Sequence, residues 1–137
     1  MTTGFTCGAF DLLHPGHLFL LEWSRSHCDR LIVGLQTNPT IDRPDEKHPP
    51  VQSVFERWVQ LRAVRYVDEI IPYDTERDLE NLIASLDIQI RFLGDDYSLR
   101  KDFTGRAIGA KRGMNILYAP RHHSYSSTDL RARLQKG

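Results

Sequence analysis

The sequence has little cysteine and no long hydrophobic run. Its 137 residues include two cysteines, Cys7 and Cys28, and no Cys-x-x-Cys pair that would suggest zinc. Small free cysteines usually pack as apolar side chains, so we expect two reduced, partly buried thiols. No run of about 18 apolar residues could span a bilayer, and residues 1–10 lack the charged and apolar regions of a secretory signal. These absences predict a soluble, cytoplasmic protein.

The sequence also lacks an excess of charge of either sign. Eighteen basic and 18 acidic side chains give a formal net charge of zero. Binding to nucleic acid or to an anionic membrane usually needs a basic surplus, so we expect neither partner. Any bound anion must therefore be held by a local site. With 40% hydrophobic residues and no internal repeat, a chain of this length fits one compact domain covering residues 1–137.

Short apolar runs alternate along the chain with segments of helical spacing. The pattern predicts strands at residues 4–10, 30–35, 67–72, 88–94 and 115–118. It predicts helices at residues 15–27, 54–64, 76–86, 104–112 and 127–135. Residues 37–50 hold four prolines and many charges, which predicts a mobile surface loop. The alternation predicts an α/β fold that is Rossmann-like, with a doubly wound parallel five-stranded sheet and helices on both faces.

Polar residues follow four of the five predicted strands. In doubly wound sheets, ligands bind beyond the carboxyl ends of the strands, near the point where the strand order reverses. Because those ends share one edge of a parallel sheet, we expect the polar residues that follow the strands to lie on one rim. They are Asp11 and His14, Thr37 and Asn38, Asp95 and Asp96, and residues 121–128.

Residues 8–17, GAFDLLHPGH, leave a predicted strand, turn, and enter a helix with two histidines three positions apart. That spacing places His14 and His17 on one helix face. Pro15 suits the first helical turn, and Gly16 lets a phosphate approach the backbone, where free N–H groups attract anions. Histidine side chains could also donate to phosphate oxygens whose charge grows as a phosphoanhydride breaks. The segment therefore predicts a phosphate-binding site. Half of a metal site, or simple helix capping, are the alternatives.

This segment resembles the HxGH motif of the cytidylyltransferase-like nucleotidyltransferases, and the chain as a whole most resembles the glycerol-3-phosphate cytidylyltransferases. Four further segments carry the resemblance over nearly the whole length. They are Glu56 with Arg57, RYVDEIIP at residues 65–72, LGDDY at residues 93–97, and PRHHSYSSTDLR at residues 120–131. The combination is more specific than the HxGH motif alone.

The resemblance implies a cytidylyltransferase in which an acceptor phosphate oxygen attacks the α-phosphorus of CTP. Pyrophosphate leaves and a CDP-linked product forms, and Mg²⁺ or another divalent cation accompanies the CTP. The implied acceptor is a small phosphorylated alcohol, with glycerol-3-phosphate as the first candidate. A homodimer is implied as well. An adenylyltransferase with the same mechanism and a nucleotide-binding module without turnover are the alternatives.

The resemblance also assigns roles to individual residues. His14 and His17 would stabilise the triphosphate, while Asp11 would orient the site or hold Mg²⁺. Lys47 would reach the outer phosphates, and Arg121 would hold phosphates near the last helix. The implied nucleotide-binding residues are Gly8, Ala9, Phe10, Gly16, Asp96, Ser126, Ser127 and Thr128. The implied substrate-binding residues are Arg57, Arg65, Asp68, Tyr97, His122 and His123.

Several of these residues have ordinary structural interpretations, and some depart from the family pattern. Arg57 and Arg65 could be exposed helix charges, and Asp68 a solvated acid at a strand edge. Ala9 stands where the family has threonine, and Tyr97 where it has tryptophan. The segment at residues 121–128, RHHSYSST, lacks the Thr and Gly that usually follow the arginine. We expect these departures to bear on the acceptor more than on the reaction.

Overall fold

The computed structural model describes residues 1–136 as an open sheet covered by helices. The strands are β1 (Thr3–Gly8), β2 (Arg30–Gln36), β3 (Glu69–Tyr73), β4 (Ile90–Gly94) and β5 (Asn115–Ala119). The helices are α1 (Pro15–Ser26), α2 (Val54–Arg62), α3 (Glu76–Ser85), α4 (Arg106–Lys111) and α5 (Ser127–Lys136), and a single 3₁₀ turn spans Asp95–Tyr97. No helix in this part of the chain is long and apolar enough to cross a membrane.

The five strands are all parallel and run in the order β3-β2-β1-β4-β5. The α/β, Rossmann-like prediction is therefore confirmed. The strand order reverses between β1 and β4, which is where such sheets bind ligands. These two strands pair only at Gly4 with Ile90 and at Phe5 with Arg91, whereas β1 and β2 pair along all of β1. The sheet thus parts between the carboxyl ends of β1 and β4.

Two apolar clusters fill the two faces of the sheet. One joins β2 and β4 to α1 and α2 through side chains such as Leu21, Leu35 and Leu61, which are fully buried. The other lies under α3 and α4 and includes Phe5 and Ile83. Burying both faces stabilises a parallel sheet, whose strands are apolar on each side. It also holds the carboxyl ends of the strands on a rigid frame.

Two element boundaries differ from the predicted ones where the backbone turns left-handed. The first strand ends at Gly8 instead of residue 10, because Phe10 has a φ of 50°. The fourth helix begins at Arg106 instead of residue 104, because Gly105 has a φ of 85°. A side chain at Gly105 would also place its Cβ 2.3 Å from Ile83 Cδ1. Glycine is the residue that accepts this conformation most readily.

Candidate active site

Three cavities open on the rim where β1 and β4 part. The β5 cavity, about 240 Å³, is bordered by Ala119 and Arg121. The β4 cavity, about 440 Å³, has Arg91 and Phe92 in its wall. The α5 cavity, about 390 Å³, lies against Thr128 and Arg131. Among residues 1–136, His17 alone lines all three.

The first turn of α1 fixes both histidine rings. His14 is the N-cap, and its Nδ1 accepts a hydrogen bond from the Gly16 backbone N–H at 3.0 Å. The His14 backbone N–H in turn donates to Nδ1 of His17 at 3.2 Å. The two rings stack with centroids 3.8 Å apart. Because each Nδ1 accepts a hydrogen bond, each neutral ring carries its proton on Nε2 and presents it as a donor.

Both histidines are held in their neutral form. Burial, with a contribution from the neighbouring His14, lowers the pKa of His17 to about 3. Burial also lowers the pKa of His14, and the nearby His123 and Arg121 charges add to that effect. The site therefore offers two neutral Nε2–H donors near pH 7. Its positive charge comes from other residues.

The turn before α1 is strained. Phe10 and Leu12 have φ values of 50° and 52°, in the left-handed region that non-glycine residues rarely adopt. Such residues cost about 1–2 kcal/mol each, and they often occur at functional sites. The Phe10 ring is buried, with its centroid 5.4 Å from that of His17. Leu12 donates its N–H to Gln52 Oε1 at 2.9 Å. The buried Phe10 ring and the hydrogen bond of Leu12 to Gln52 hold this turn beside the histidines.

Asp11 does not fit the expected metal-binding role. It is buried, and its carboxylate accepts hydrogen bonds from the backbone N–H groups of Val51 (2.8 Å) and Gln52 (2.9 Å) and from Arg131 Nη2 (2.9 Å). Burial raises its pKa, but these hydrogen bonds and the Arg131 charge bring the pKa below its ordinary value. With three donors already bound, the carboxylate has little left for a cation. Asp11 instead ties the turn to the start of α2 and to α5.

Within residues 1–136, no cluster of three or more His, Cys, Asp or Glu side chains could hold a metal ion. In this part of the chain, no further His, Cys, Asp or Glu side chain joins the histidine pair to complete a metal site. Both Nδ1 atoms are also occupied by N–H donors. The histidines do cap the helix, and that capping is what orients their free Nε2 atoms.

Arg57 also differs from its expected role, because it is buried and faces no cavity. Its guanidinium donates to five backbone carbonyl groups and has 1% exposure. The acceptors are Ala9, Gln36, Thr37, Gln52 and Ser53, at 2.7–3.3 Å. Arg57 thus joins the ends of β1 and β2 to the start of α2. It positions the rim, and its predicted role in substrate binding stays a prediction.

Arg65 and Asp68 lie at the other edge of the sheet. Asp68 accepts hydrogen bonds from the Leu31 backbone N–H at 2.7 Å and from Arg25 Nε at 2.9 Å, just before β3 begins. Arg65 is exposed three residues earlier. The amino ends of β2 and β3 are opposite the rim, because the sheet is parallel. The prediction that these two residues line a ligand pocket is therefore not supported.

The remaining predicted residues do gather on the rim. Lys47 and Tyr97 line the β4 and α5 cavities, while Asp96 lines the β5 and β4 cavities. Ser126 and Ser127 border the β5 cavity, and Ser127 Oγ donates to the Asp11 carbonyl oxygen at 2.7 Å. Gly8, Ala9, Phe10 and Thr128 border the α5 cavity.

The two adjacent histidines near the end of the chain differ from each other. His123 borders the β5 cavity and packs so close to Gly16 that a Cβ there would lie 2.7 Å from His123 Cε1. A glycine at position 16 is thus required by the two neighbouring rings. His122 is exposed and lines none of the three cavities. Neither histidine borders the β4 cavity.

A strand-to-helix turn with two stacked histidines, at the switch point of a parallel sheet, matches a known family. Residues 5–133 fit the family described as cytidylyltransferase-like. The chain belongs to the cytidylyltransferase-like family. Its members are nucleotidyltransferases, and they generally use a nucleoside triphosphate with a divalent cation. The prediction that the chain belongs to the nucleotidyltransferase superfamily is confirmed.

Curated relatives in this family are longer than the chain. It is 37% identical over 134 residues to the bifunctional protein HldE of Hyphomonas neptunium and 34% identical over 134 residues to that of Caulobacter vibrioides. Each match covers 98% of this chain and 27% of the relative. The chain thus spans about a quarter of the length of these relatives.

Solved structures support the fold. The lipopolysaccharide core biosynthesis protein from Thermoplasma volcanium superposes with a TM-score of 0.73 at 23% identity, over 90% of this chain and 99% of that one. Pantothenate synthetase from Thermus thermophilus superposes with a TM-score of 0.67 at 15% identity, over 98% of this chain and 64% of that one. At these identities the likeness concerns architecture alone.

Three arginines at the site were missed from sequence. Arg131 lies one helical turn after Thr128, so the helix period could have placed it on the same face. Arg91 is a charged residue inside the apolar run IQIRFLG, which is unusual for a buried strand. Arg100 follows the 3₁₀ turn and lines the β4 cavity. No local pattern indicates Arg100, because its place depends on the loop between β4 and α4.

Proposed function

We propose that the protein transfers a nucleotidyl group from a nucleoside triphosphate to a small phosphorylated alcohol or sugar. The observation that carries this proposal is the position of His17, whose ring lines all three cavities. A reaction between two bound substrates needs a group that contacts both at the reacting phosphorus. His17 has that position, and its Nε2–H is free to donate.

In the proposed reaction, an acceptor phosphate oxygen attacks the α-phosphorus and forms a new P–O bond. The bond from the α-phosphorus to the bridging oxygen breaks, and its electron pair leaves with pyrophosphate. His14 and His17 would donate hydrogen bonds to phosphate oxygens as their charge grows. Because both rings are neutral, they would act as fixed dipoles that need no change of protonation.

The three cavities suggest how the substrates divide the site. We place the nucleoside in the β5 cavity, beside Asp96 and Arg121. The outer phosphates would lie in the α5 cavity, where Lys47 supplies positive charge. The phosphorylated acceptor would occupy the β4 cavity. This arrangement would bring the attacking and the leaving oxygens to His17, which lines both the β4 and the α5 cavity.

The divalent cation of the family does not fit Asp11, whose carboxylate is filled by three donors. Mg²⁺ often binds mainly through substrate phosphates and water. We infer that it would enter with the triphosphate, and we assign it no protein ligand.

CTP is the first donor to test, on the resemblance of the HxGH, RYVDE and GDD segments to cytidylyltransferases. ATP is the second. A pantoate-β-alanine ligase from Francisella tularensis with the same fold was solved with a β-γ ATP ligand and β-alanine, at a TM-score of 0.62 and 19% identity. The mechanism is the same for both donors, so a direct comparison decides between them.

The test is release of pyrophosphate from CTP or ATP with Mg²⁺ and a panel of phosphate esters that includes glycerol-3-phosphate and hexose phosphates. We expect release with one donor and at least one acceptor. Turnover with ATP and none with CTP would contradict cytidylyl transfer and leave nucleotidyl transfer in place. Tight nucleotide binding with no pyrophosphate from any acceptor would instead indicate a binding module.

A further inference from the structure

The β4 cavity contains a buried arginine that lacks an anionic partner. Arg91 lies within β4 at 4% exposure and lines this cavity. Its Nη1 donates to the Thr104 carbonyl oxygen, and its guanidinium carbon lies 5.1 Å from the centroid of the Phe103 ring. Its Nε is buried and makes no hydrogen bond. Among residues 1–136 it forms no salt bridge. A buried charge without a counter-ion is costly, so this arrangement calls for an explanation.

The residues after β4 pack closely around the Arg91 guanidinium. Gly105 lies so close to it that a Cβ at position 105 would be 3.0 Å from Arg91 Nη1. Phe103 and Thr104 complete the contact on that side. The loop between β4 and α4 thus holds the arginine in one place. A fixed guanidinium is well suited to bind a phosphate or carboxylate through two parallel hydrogen bonds.

Two further cations line the same cavity without forming salt bridges. Arg100 is exposed and stacks over the Tyr97 ring, with its guanidinium carbon 4.4 Å from the centroid. Lys47 is exposed on the opposite loop. A fourth cation, Arg43, is already paired with Glu76.

Two other carboxylates line the β4 cavity, those of Asp96 and Asp102. Within residues 1–136, neither forms a salt bridge with Lys47, Arg91 or Arg100. Asp102 accepts a hydrogen bond from the Phe103 backbone N–H at 2.9 Å. In this part of the chain the β4 cavity therefore has three unpaired cations against two unpaired carboxylates.

One reacting phosphate does not account for all of these cations. Lys47 also lines the α5 cavity, so it is close to the phosphates that react. Arg91 and Arg100 line only the β4 cavity. We propose that the acceptor carries a second anionic group, a phosphate or a carboxylate, which Arg91 and Arg100 bind in the β4 cavity. This inference rests on the proposed function, because it concerns the acceptor of that reaction.

The test compares matched ligands by calorimetry. Fructose 1,6-bisphosphate is compared with fructose 1-phosphate and fructose 6-phosphate, and 3-phosphoglycerate with glycerol 3-phosphate. We expect the ligand with the second anion to bind wild-type protein about 10- to 100-fold more tightly in at least one comparison, the range for hydrogen bonds to charged groups. Preference in the first comparison indicates phosphate, and preference in the second indicates carboxylate.

Substitutions at the cavity then assign the preference to residues. Arg91→Met should reduce it to less than about threefold, and Arg91→Lys should keep part of it, because charge remains without the paired donors. Arg106→Met is the matched control, since Arg106 also stacks near Phe103, at 6.0 Å, but does not line the cavity. If Arg91→Met fails to fold in a thermal melt, the exposed Arg100→Met should still lower the preference at least threefold.

Equal binding of the ligands in both comparisons would overturn this inference. So would a preference that survives both the Arg91→Met and the Arg100→Met substitution. Pyrophosphate release is measured on the same samples to separate the two proposals. If the preference depends on Arg91 but no donor and acceptor release pyrophosphate, the anion site stands and the proposed function fails. If acceptors with one phosphate react with the same kcat/KM as their doubly anionic partners, the proposed function stands and this inference fails.

Discussion

At the scale of single residues, the chemistry of the site depends on where two protons lie. The capping turn of α1 uses Nδ1 of His14 and of His17 as acceptors, which leaves both Nε2–H groups free. The same hydrogen bonds that start the helix therefore select the tautomer with its proton on Nε2. A side chain that accepts the same capping hydrogen bond but has no group equivalent to Nε2–H would keep the helix start and lose the hydrogen-bond donor.

His17→Ala should lower kcat about 100- to 1000-fold, the loss typical of removing one donor from a preorganised transition-state site. KM for the donor nucleotide should change much less. Steady-state pyrophosphate release measures both constants. His27→Ala is the control, because His27 is an exposed histidine at the other end of α1 and should leave turnover near wild type. Near-normal turnover in His17→Ala would remove this ring from the mechanism.

At the scale of elements, Asp11 and Arg57 connect segments that are distant in sequence. Asp11 binds the start of α2 and, through Arg131, also α5. Arg57 reaches back from α2 to the ends of β1 and β2. Together they hold the strained turn on the rim. The turn can be strained because these contacts restrain it from outside.

Asp11→Asn should destabilise the fold by about 3 kcal/mol, because it leaves Arg131 without its anion and turns an NH₂ group toward two N–H donors. Urea unfolding measures this loss. Asp129→Asn, at an exposed pair with an N···O distance of 3.8 Å, should cost under about 1 kcal/mol. The Mg²⁺ concentration for half-maximal activity should stay within about threefold of wild type. A rise of tenfold or more would make Asp11 a metal ligand after all.

Arg57→Lys should destabilise the protein by roughly 3 kcal/mol, since an ammonium group has three donors and cannot match a guanidinium that serves five carbonyl groups. The free energy of unfolding in urea is the measurement. Arg62→Lys on the same helix is exposed and should change it by less than about 0.5 kcal/mol. A fully stable Arg57→Lys protein with a raised substrate KM would restore Arg57 to the binding residues.

At the scale of the whole molecule, features formed by residues close in sequence could be predicted. The direction in which a side chain points in the folded protein could not. The alternation of strands and helices sets the sheet, and the histidine pair falls within ten residues, so both could be predicted. Arg57, Arg65 and Asp68 occupy family positions, but which way each side chain points depends on elements far away in sequence. Arg57 turns into the backbone, and Asp68 lies at the amino end of the sheet. The surroundings of Arg91 could not be predicted either, because they are formed by Phe103 and Thr104 in the loop between β4 and α4.

The buried histidines should also make the stability of the whole fold depend on pH. Burial lowers the pKa of His17 to about 3 and that of His14 below its ordinary value, whereas both would titrate near 6.5 in the unfolded chain. Below pH 6.5 the unfolded state binds more protons than the folded state, so stability falls as pH falls. Between pH 7 and pH 5 the neutral His17 should cost roughly 2 kcal/mol of stability, and His14 adds to the loss in the same direction.

Urea unfolding of the wild type and of His17→Gln at pH 7 and pH 5 tests this dependence. The wild type should lose more stability than the variant over this interval, by an amount close to the contribution of one histidine. Asp11 does not obscure the comparison, because its lowered pKa acts below about pH 4. The rate of pyrophosphate release should show no ionisation of His17 between pH 6 and pH 8, because its pKa is about 3. The acceptor phosphate, whose second pKa is about 6, titrates in this range. Equal losses in the two proteins would mean that His17 is charged in the folded enzyme and acts as a cation.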